Sequence, residues 1–120
     1  MKKLVVLSML IIWATFSSAQ VYVDGININT IEDLHLIQMV GSSKLFNDDV
    51  NIKIDYGQHS SMSKKPKRNV TNKEGKKLNF QSIIAACNFL ENKGWQFVTA
   101  YALTKGNSNV YHYTFRKKSK

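Results

Sequence analysis

The chain has 120 residues, 43% of them hydrophobic, and a formal net charge of +9, which bounds it to one domain with a modest core and points to anionic rather than cationic partners. Its one cysteine, Cys87, excludes an internal disulfide, so stability rests on packing. Because no cysteine stands near the N-terminus, lipid attachment at a leader cut is excluded as well.

The N-terminus reads as a cleavable export signal. Lys2 and Lys3 precede an apolar stretch, Leu4 to Phe16, broken only by Ser8 and Thr15, and Ser17-Ser18-Ala19 then places small residues at the third and first positions before a cut. A spanning helix needs about 20 apolar residues, and this stretch has 13. The expectation is a signal peptide over 1–19, a single domain over 20–120, no membrane span after cleavage, and a periplasmic or extracellular location. Removing the two leader lysines leaves +7, unevenly placed. Residues 20–62 carry six acids against Lys44 and Lys53, 63–77 carry seven bases against Glu74, and 78–120 carry six bases against Glu91. An anionic partner would therefore dock on the second half.

Val21 to Val23 alternates and meets Asp24-Gly25, a strong turn signal, so a short first strand is expected there. Thr30 with Asp33 suggests the cap of one helical turn. His35 to Val40 and Val50 to Tyr56 read as two strands pairing antiparallel, separated by Gly41-Ser42-Ser43 and Asn47-Asp48-Asp49. In the second of them Ile52, Ile54 and Tyr56 share one face, and Asn51, Lys53 and Asp55 the other. The stretch 57–77 holds the only proline and a dense lysine run, and reads as a mobile basic loop ending in a small hairpin at Asn72-Lys73-Glu74-Gly75. Asn79 is the expected N-cap of one amphipathic helix with the stripe Phe80, Ile83, Ile84, Cys87 and Leu90, stopped by a left-handed Gly94.

Trp95 to Thr104 and Val110 to Lys117 read as a hairpin joined by the five residues Lys105 to Asn109. Tyr111, Tyr113 and Phe115 fall on one face, and Val110, His112, Thr114 and Arg116 on the other. Alternate residues Val98, Ala100 and Ala102 are apolar too, so the first of these strands is expected to be central and covered on both faces. If its small side chains face water instead, they leave a flat patch for a partner chain. The fold class is α+β, a small, mostly antiparallel sheet packed on one amphipathic helix.

The segment Asn88-Phe-Leu-Glu-Asn-Lys-Gly-Trp-Gln-Phe-Val98, followed by a hairpin ending in Phe115-Arg116-Lys117, resembles the signature of small DUF4177-type domains, with Gln96 where an acid is usual. The fuller series from "VYVDG" through "KLF", "DYGQ" and "ACNFLENKGWQFVTAYA" to "VYHYTFRKK" resembles uncharacterised secreted proteins of Bacteroidetes. Both resemblances imply a compact helix-and-strand fold, and neither implies an activity or catalytic residues.

Catalysis needs a nucleophile or metal and a group to tune it. Cys87 sits in the apolar helix stripe, where cysteine acts as a small hydrophobe. His35, His59 and His112 are scattered without zinc spacing, Asp48-Asp49 with Asp55 match no calcium loop, and Ser60-Ser61 beside His59 form no triad. No enzyme and no cofactor is expected. The basic loop Lys64-Lys65-Pro66-Lys67-Arg68, together with Arg116, Lys117 and Lys118, is the expected polyanion surface. Its ligands would be an anionic polysaccharide, lipopolysaccharide or an acidic protein, with nucleic acid less favoured. A non-enzymatic exported binding module is thus the first expectation. The alternative is a secreted effector or inhibitor acting on another protein, and the oligomeric state is left open.

Overall fold

Backbone chemistry shapes the beginning of the domain. The computed structural model describes residues 19–43 and 50–119, so the expected leader, apart from Ala19, and the Asn47-Asp48-Asp49 separator lie outside the described residues. Strands β1 (Tyr22–Val23) and β2 (Ile26–Asn27) form a tight antiparallel hairpin, because Asp24 and Gly25 accept positive φ of 51° and 81°. A 3-10 turn at Ile28–Thr30 follows. Its cap is Asn27, whose side chain accepts from Asn29 N, so the turn begins earlier than the Thr30/Asp33 pattern implied.

Strand β3 (Leu36–Ser43) runs through Gly41-Ser42-Ser43, which the sequence had suggested as a separator. It continues because Gly41 sits directly under a helix: a Cβ there would stand 3.0 Å from Ile83 Cγ1. Glycine at this position is a close-approach device inside a strand, not a break. Strand β4 (Val50–Asp55) pairs antiparallel with β3, as expected from its alternation. The stretch 57–77 contains one further strand, β5 (Val70–Thr71), buried and paired with β1. A turn at Asn72–Gly75 returns the chain, with Gly75 N donating to Asn72 O at 3.0 Å.

Helix α1 (Ile83–Asn92) starts at Ser82, whose side chain accepts from Ala85 N at 3.0 Å. Asn79 does not cap it, because Phe80 is extended, bridging to Val50 and meeting Phe89 edge-on at 5.4 Å. The core stripe is Ile83, Ala86, Cys87 and Leu90, whereas Ile84 is exposed. With Phe80 outside the helix, Ile84 has no neighbour one turn earlier on its face. Gly94 ends the helix at φ 94°. Trp95 beyond it is fully buried, and its indole N–H donates to Asn29 Oδ1 at 3.2 Å. The same Asn29 oxygen accepts from Val21 N, and its amide donates to Lys93 O at 2.7 Å, so one side chain ties the segment just before β1 to the helix end.

Strands β6 (Trp95–Lys105) and β7 (Ser108–Lys117) close through the two residues Gly106 and Asn107, not five. Glycine at the first turn position, φ 58°, permits the tighter turn. The main sheet has the order β4-β3-β7-β6, all antiparallel, and the small sheet the order β2-β1-β5. The fold is α+β. One face of the main sheet carries Ile37, Met39, Ile52, Ile54 and Phe115 into a single core with Val21, Val23, Ile28, Val70, Ala86, Leu90 and Trp95. Its other face, with Val40, His112 and Tyr101 in one row, has no layer over it among the described residues.

The expectation of a central, covered β6 is overturned: β6 is an edge strand, and every residue after Trp95 is exposed. Lengths explain it. A ten-residue helix spans about 15 Å, whereas an eleven-residue strand spans about 36 Å, so the hairpin outruns its cover.

Candidate anion-binding surface

The basic loop is fastened at its C-terminal end by main-chain chemistry. The Asp24 carboxylate accepts from Arg68 N at 2.9 Å and from Asn69 N at 3.0 Å, while Asp24 N donates to Asn69 O at 2.9 Å. On the other side Ile54 N donates to Arg68 O at 2.9 Å, and Lys53 bridges to Asn69. Arg68 is thereby held at φ 62°, a left-handed conformation that a Cβ-bearing residue seldom adopts unless its surroundings impose it. The earlier part is shaped locally, with Lys64 N donating to Ser61 Oγ at 3.1 Å and Ser61 N to Lys64 O at 3.3 Å.

This anchoring sorts the expected ligands. Lys65 and Arg68 line a cleft of about 230 Å³ with Lys53, Ser60 and Pro66, and among the described residues no carboxylate lines it. Arg68 Nε is screened from solvent and has no hydrogen-bond acceptor among the described residues. Lys67 belongs to a different cleft, about 460 Å³, with Asp24, Asn69, Thr71, Gly75 and Lys77, where the Asp24 charge opposes it. Lys64 is exposed outside both.

The C-terminal bases are placed elsewhere. Arg116 is exposed, paired in register with Leu36 and Gln96. Lys117 Nζ donates to Ile31 O at 3.0 Å and lies 5.8 Å from the Trp95 ring centre. Lys118 pairs with Glu91 at 3.1 Å and also donates to the Glu91 carbonyl at 2.7 Å. The Phe97 amide and then Lys118 hold the Glu91 carboxyl below the usual glutamate range. Two strands separate Arg116 from the loop, since β3 stands between β7 and β4. The loop and the C-terminal bases therefore form two groups.

Lys53 and Ser60 were not among the sequence-stated ligands. The alternation of β4 already turned Lys53 away from the core, but only the Lys53–Asn69 bridge puts it beside Arg68. The remaining chemistry is sparse. Burial pushes the Cys87 thiol up, which keeps it protonated at neutral pH. His35 and His59 are exposed, and His112 stacks on Tyr101 at 4.6 Å and 5°. Among the described residues no group of three His, Cys, Asp or Glu side chains can hold a metal ion, and no helix is long and apolar enough to cross a membrane. Comparison with protein-family models, curated proteins and solved structures finds no match for this chain.

Proposed function

We propose that this protein is an exported, non-enzymatic binding module that takes up sulfate, phosphate or carboxylate groups of a polysaccharide or lipopolysaccharide through its basic loop. The observation that carries the reading is the cleft of Lys53, Ser60, Lys65 and Arg68, where three cations from two chain segments face one space that no acid among the described residues lines. A concave site lined by one sign of charge raises the local concentration of counter-ions. Arg68 adds a planar donor fork suited to oxyanions, and its Nε lacks an acceptor among the described residues. The non-enzymatic part of the reading is supported by the protonated Cys87 and by the scatter of the histidines.

The test is titration with heparin and with lipopolysaccharide at several salt concentrations. Changing Lys64, Lys65, Lys67 and Arg68 together to Ser is expected to weaken binding strongly at low salt and to flatten the dependence of affinity on salt. Tight, salt-insensitive binding that survives the quadruple change would sink the reading. That outcome favours the second one, an effector or inhibitor acting on another protein through the exposed β6 edge.

A further inference from the structure

Strand β6 is an exposed edge of the main sheet. From Trp95 to Thr104 it carries no charged side chain, yet it is the outer strand of the main sheet and is exposed after Trp95. Protein edges of this kind are normally blunted by lysine, proline, a bulge or a covering loop. Here the protection lies at the two ends of the strand: Lys105 at the turn, and at the base a bulge at Val98, between Phe97 and Thr99, with the Glu91 carboxylate, which accepts from Phe97 N at 2.8 Å. Beyond Thr99 neither device recurs, and Tyr101 and Leu103 stand about half exposed, at 50% and 48%.

The free backbone groups follow from the turn. Lys105 pairs with Ser108 across two turn residues, so Lys105, Leu103, Tyr101 and Thr99 exchange hydrogen bonds with β7. Alternation then turns the N–H and C=O groups of Ala100, Ala102 and Thr104 outward. Tyr101 is held in place, its ring stacked on His112 and its hydroxyl accepting from Gln38 Nε2 at 3.4 Å. A fixed, half-exposed aromatic loses little freedom on contact and is a typical anchor of an interface.

We infer that β6 pairs antiparallel with β6 of a second copy, about a two-fold axis at Tyr101, merging two four-stranded sheets into one. The register follows from which groups are free. With Tyr101 opposite Tyr101, Ala100 faces Ala102, so the outward groups of each copy meet those of the other. Thr99 then stands opposite Leu103, and the two tyrosines form the closely spaced, non-hydrogen-bonded pair in which cross-strand aromatic contact is strongest. Charge selects the occupant. An acidic strand would be drawn to the basic loop at the opposite edge, whereas a second copy brings an edge as neutral as β6 itself and keeps its own loop on the far side. The two-fold pairing is also closed, leaving no edge of this kind free to propagate a fibre.

Sedimentation equilibrium from micromolar to millimolar protein tests the inference, with amide exchange as a residue-level readout. The expected result is a salt-insensitive monomer–dimer equilibrium in which exchange at Ala100 and Ala102 slows as concentration rises. Tyr101→Lys sets like charges opposite each other and is expected to leave only monomer, with an unchanged circular dichroism spectrum. Mixing Tyr101→Lys with Tyr101→Asp is expected to restore association as a heterodimer. Leu103→Lys is a second disruptor should Tyr101→Lys fold poorly. Monomer throughout the range would overturn the inference, as would a dimer that survives both lysine variants or a mixture that does not recover.

Discussion

Asp24 is an acid on which the basic cleft depends, and this gives the sharpest test of how the surface is built. Its carboxylate accepts from Arg68 N and Asn69 N at 2.9 and 3.0 Å. Hydrogen bonds to a charged acceptor contribute about 1.5–3 kcal/mol each when shielded. These sit in exposed surroundings, so a total of about 1–3 kcal/mol for the pair is reasonable. Asp24→Ala adds roughly 1 kcal/mol more, because Asp24 is left-handed at φ 51° and alanine tolerates that poorly. Asp24→Asn avoids the backbone cost, since asparagine accepts the left-handed region and keeps one acceptor oxygen. The expected loss for Asp24→Asn is about 1 kcal/mol in urea unfolding. Its effect on binding separates two pictures. If only net charge mattered, removing an acid would tighten heparin binding. If the pinned geometry matters, Arg68 relaxes from its strained φ, the cleft with Lys53 and Lys65 opens, and binding weakens although the protein has become more positive. Equal or tighter heparin binding by Asp24→Asn would refute the reasoning.

Other expectations follow from single contacts. Gly41→Val drives a side chain into Ile83, whose atoms already lie 3.0–3.3 Å from where a Cβ would stand, and should cost about 1–3 kcal/mol of overpacking in urea unfolding, so a neutral variant would mean the helix does not rest there. Cys87→Ala should cost about 1 kcal/mol through lost packing, and the native thiol, pushed above its ordinary value by burial, should label slowly at neutral pH. Glu91, held below its ordinary value of 4.5, stabilises the fold above that value and loses its contribution as pH falls through the lower folded value, so the melting difference between Glu91→Gln and the unmodified protein should shrink on acidification. Lys117→Met should lower the melting temperature, because the Ile31 carbonyl loses its donor, while leaving low-salt heparin affinity nearly unchanged.

Local chemistry and the pairing of strands adjacent in sequence were legible, as the β3–β4 and β6–β7 pairs show, and placement decided by distant residues was not. The Asp24-Gly25 turn, the alternation of Ile52 and Ile54, the left-handed Gly94 and the common face of Tyr111, Tyr113 and Phe115 each depend on residues close in sequence, and the structure has them as read. The helix start was displaced because an N-cap is decided by what precedes it, and Phe80 is held extended by Val50, thirty residues away. β6 misled because an apolar strand at an edge and one in a centre have the same composition. What separates them is which strand lies beyond, and β7 is the last partner β6 finds. The candidate cleft was half visible: the lysine run announced itself, but the acceptor that positions Arg68 is 44 residues earlier and read only as a turn former. Lys53 was visible as an outward residue, with nothing in its neighbourhood to say that the loop returns beside it.

The two edges of the main sheet are handled in opposite ways, and this bears on how they work together. At β4 the edge is closed by the chain itself, since Ile54 N donates to Arg68 O, and the closing strap also supplies two of the three cleft cations, Lys65 and Arg68. At β6 it is open and uncharged as far as Thr104. Between β4 and β6 lie three inter-strand gaps, about 14 Å, which exceeds the Debye length of about 8 Å at physiological salt. The loop's charge therefore scarcely opposes association at β6, even in a strongly basic chain. Pairing through β6 would in turn carry two clefts at the outer ends of one continuous sheet. A polymer with repeating anionic groups can then engage both, the second contact being intramolecular, so avidity exceeds what one cleft provides. A monoanion gains nothing from this. Comparing heparin with inorganic sulfate on the unmodified protein and on Tyr101→Lys thus links the two surfaces: only the polymer's affinity should fall when the dimer is lost.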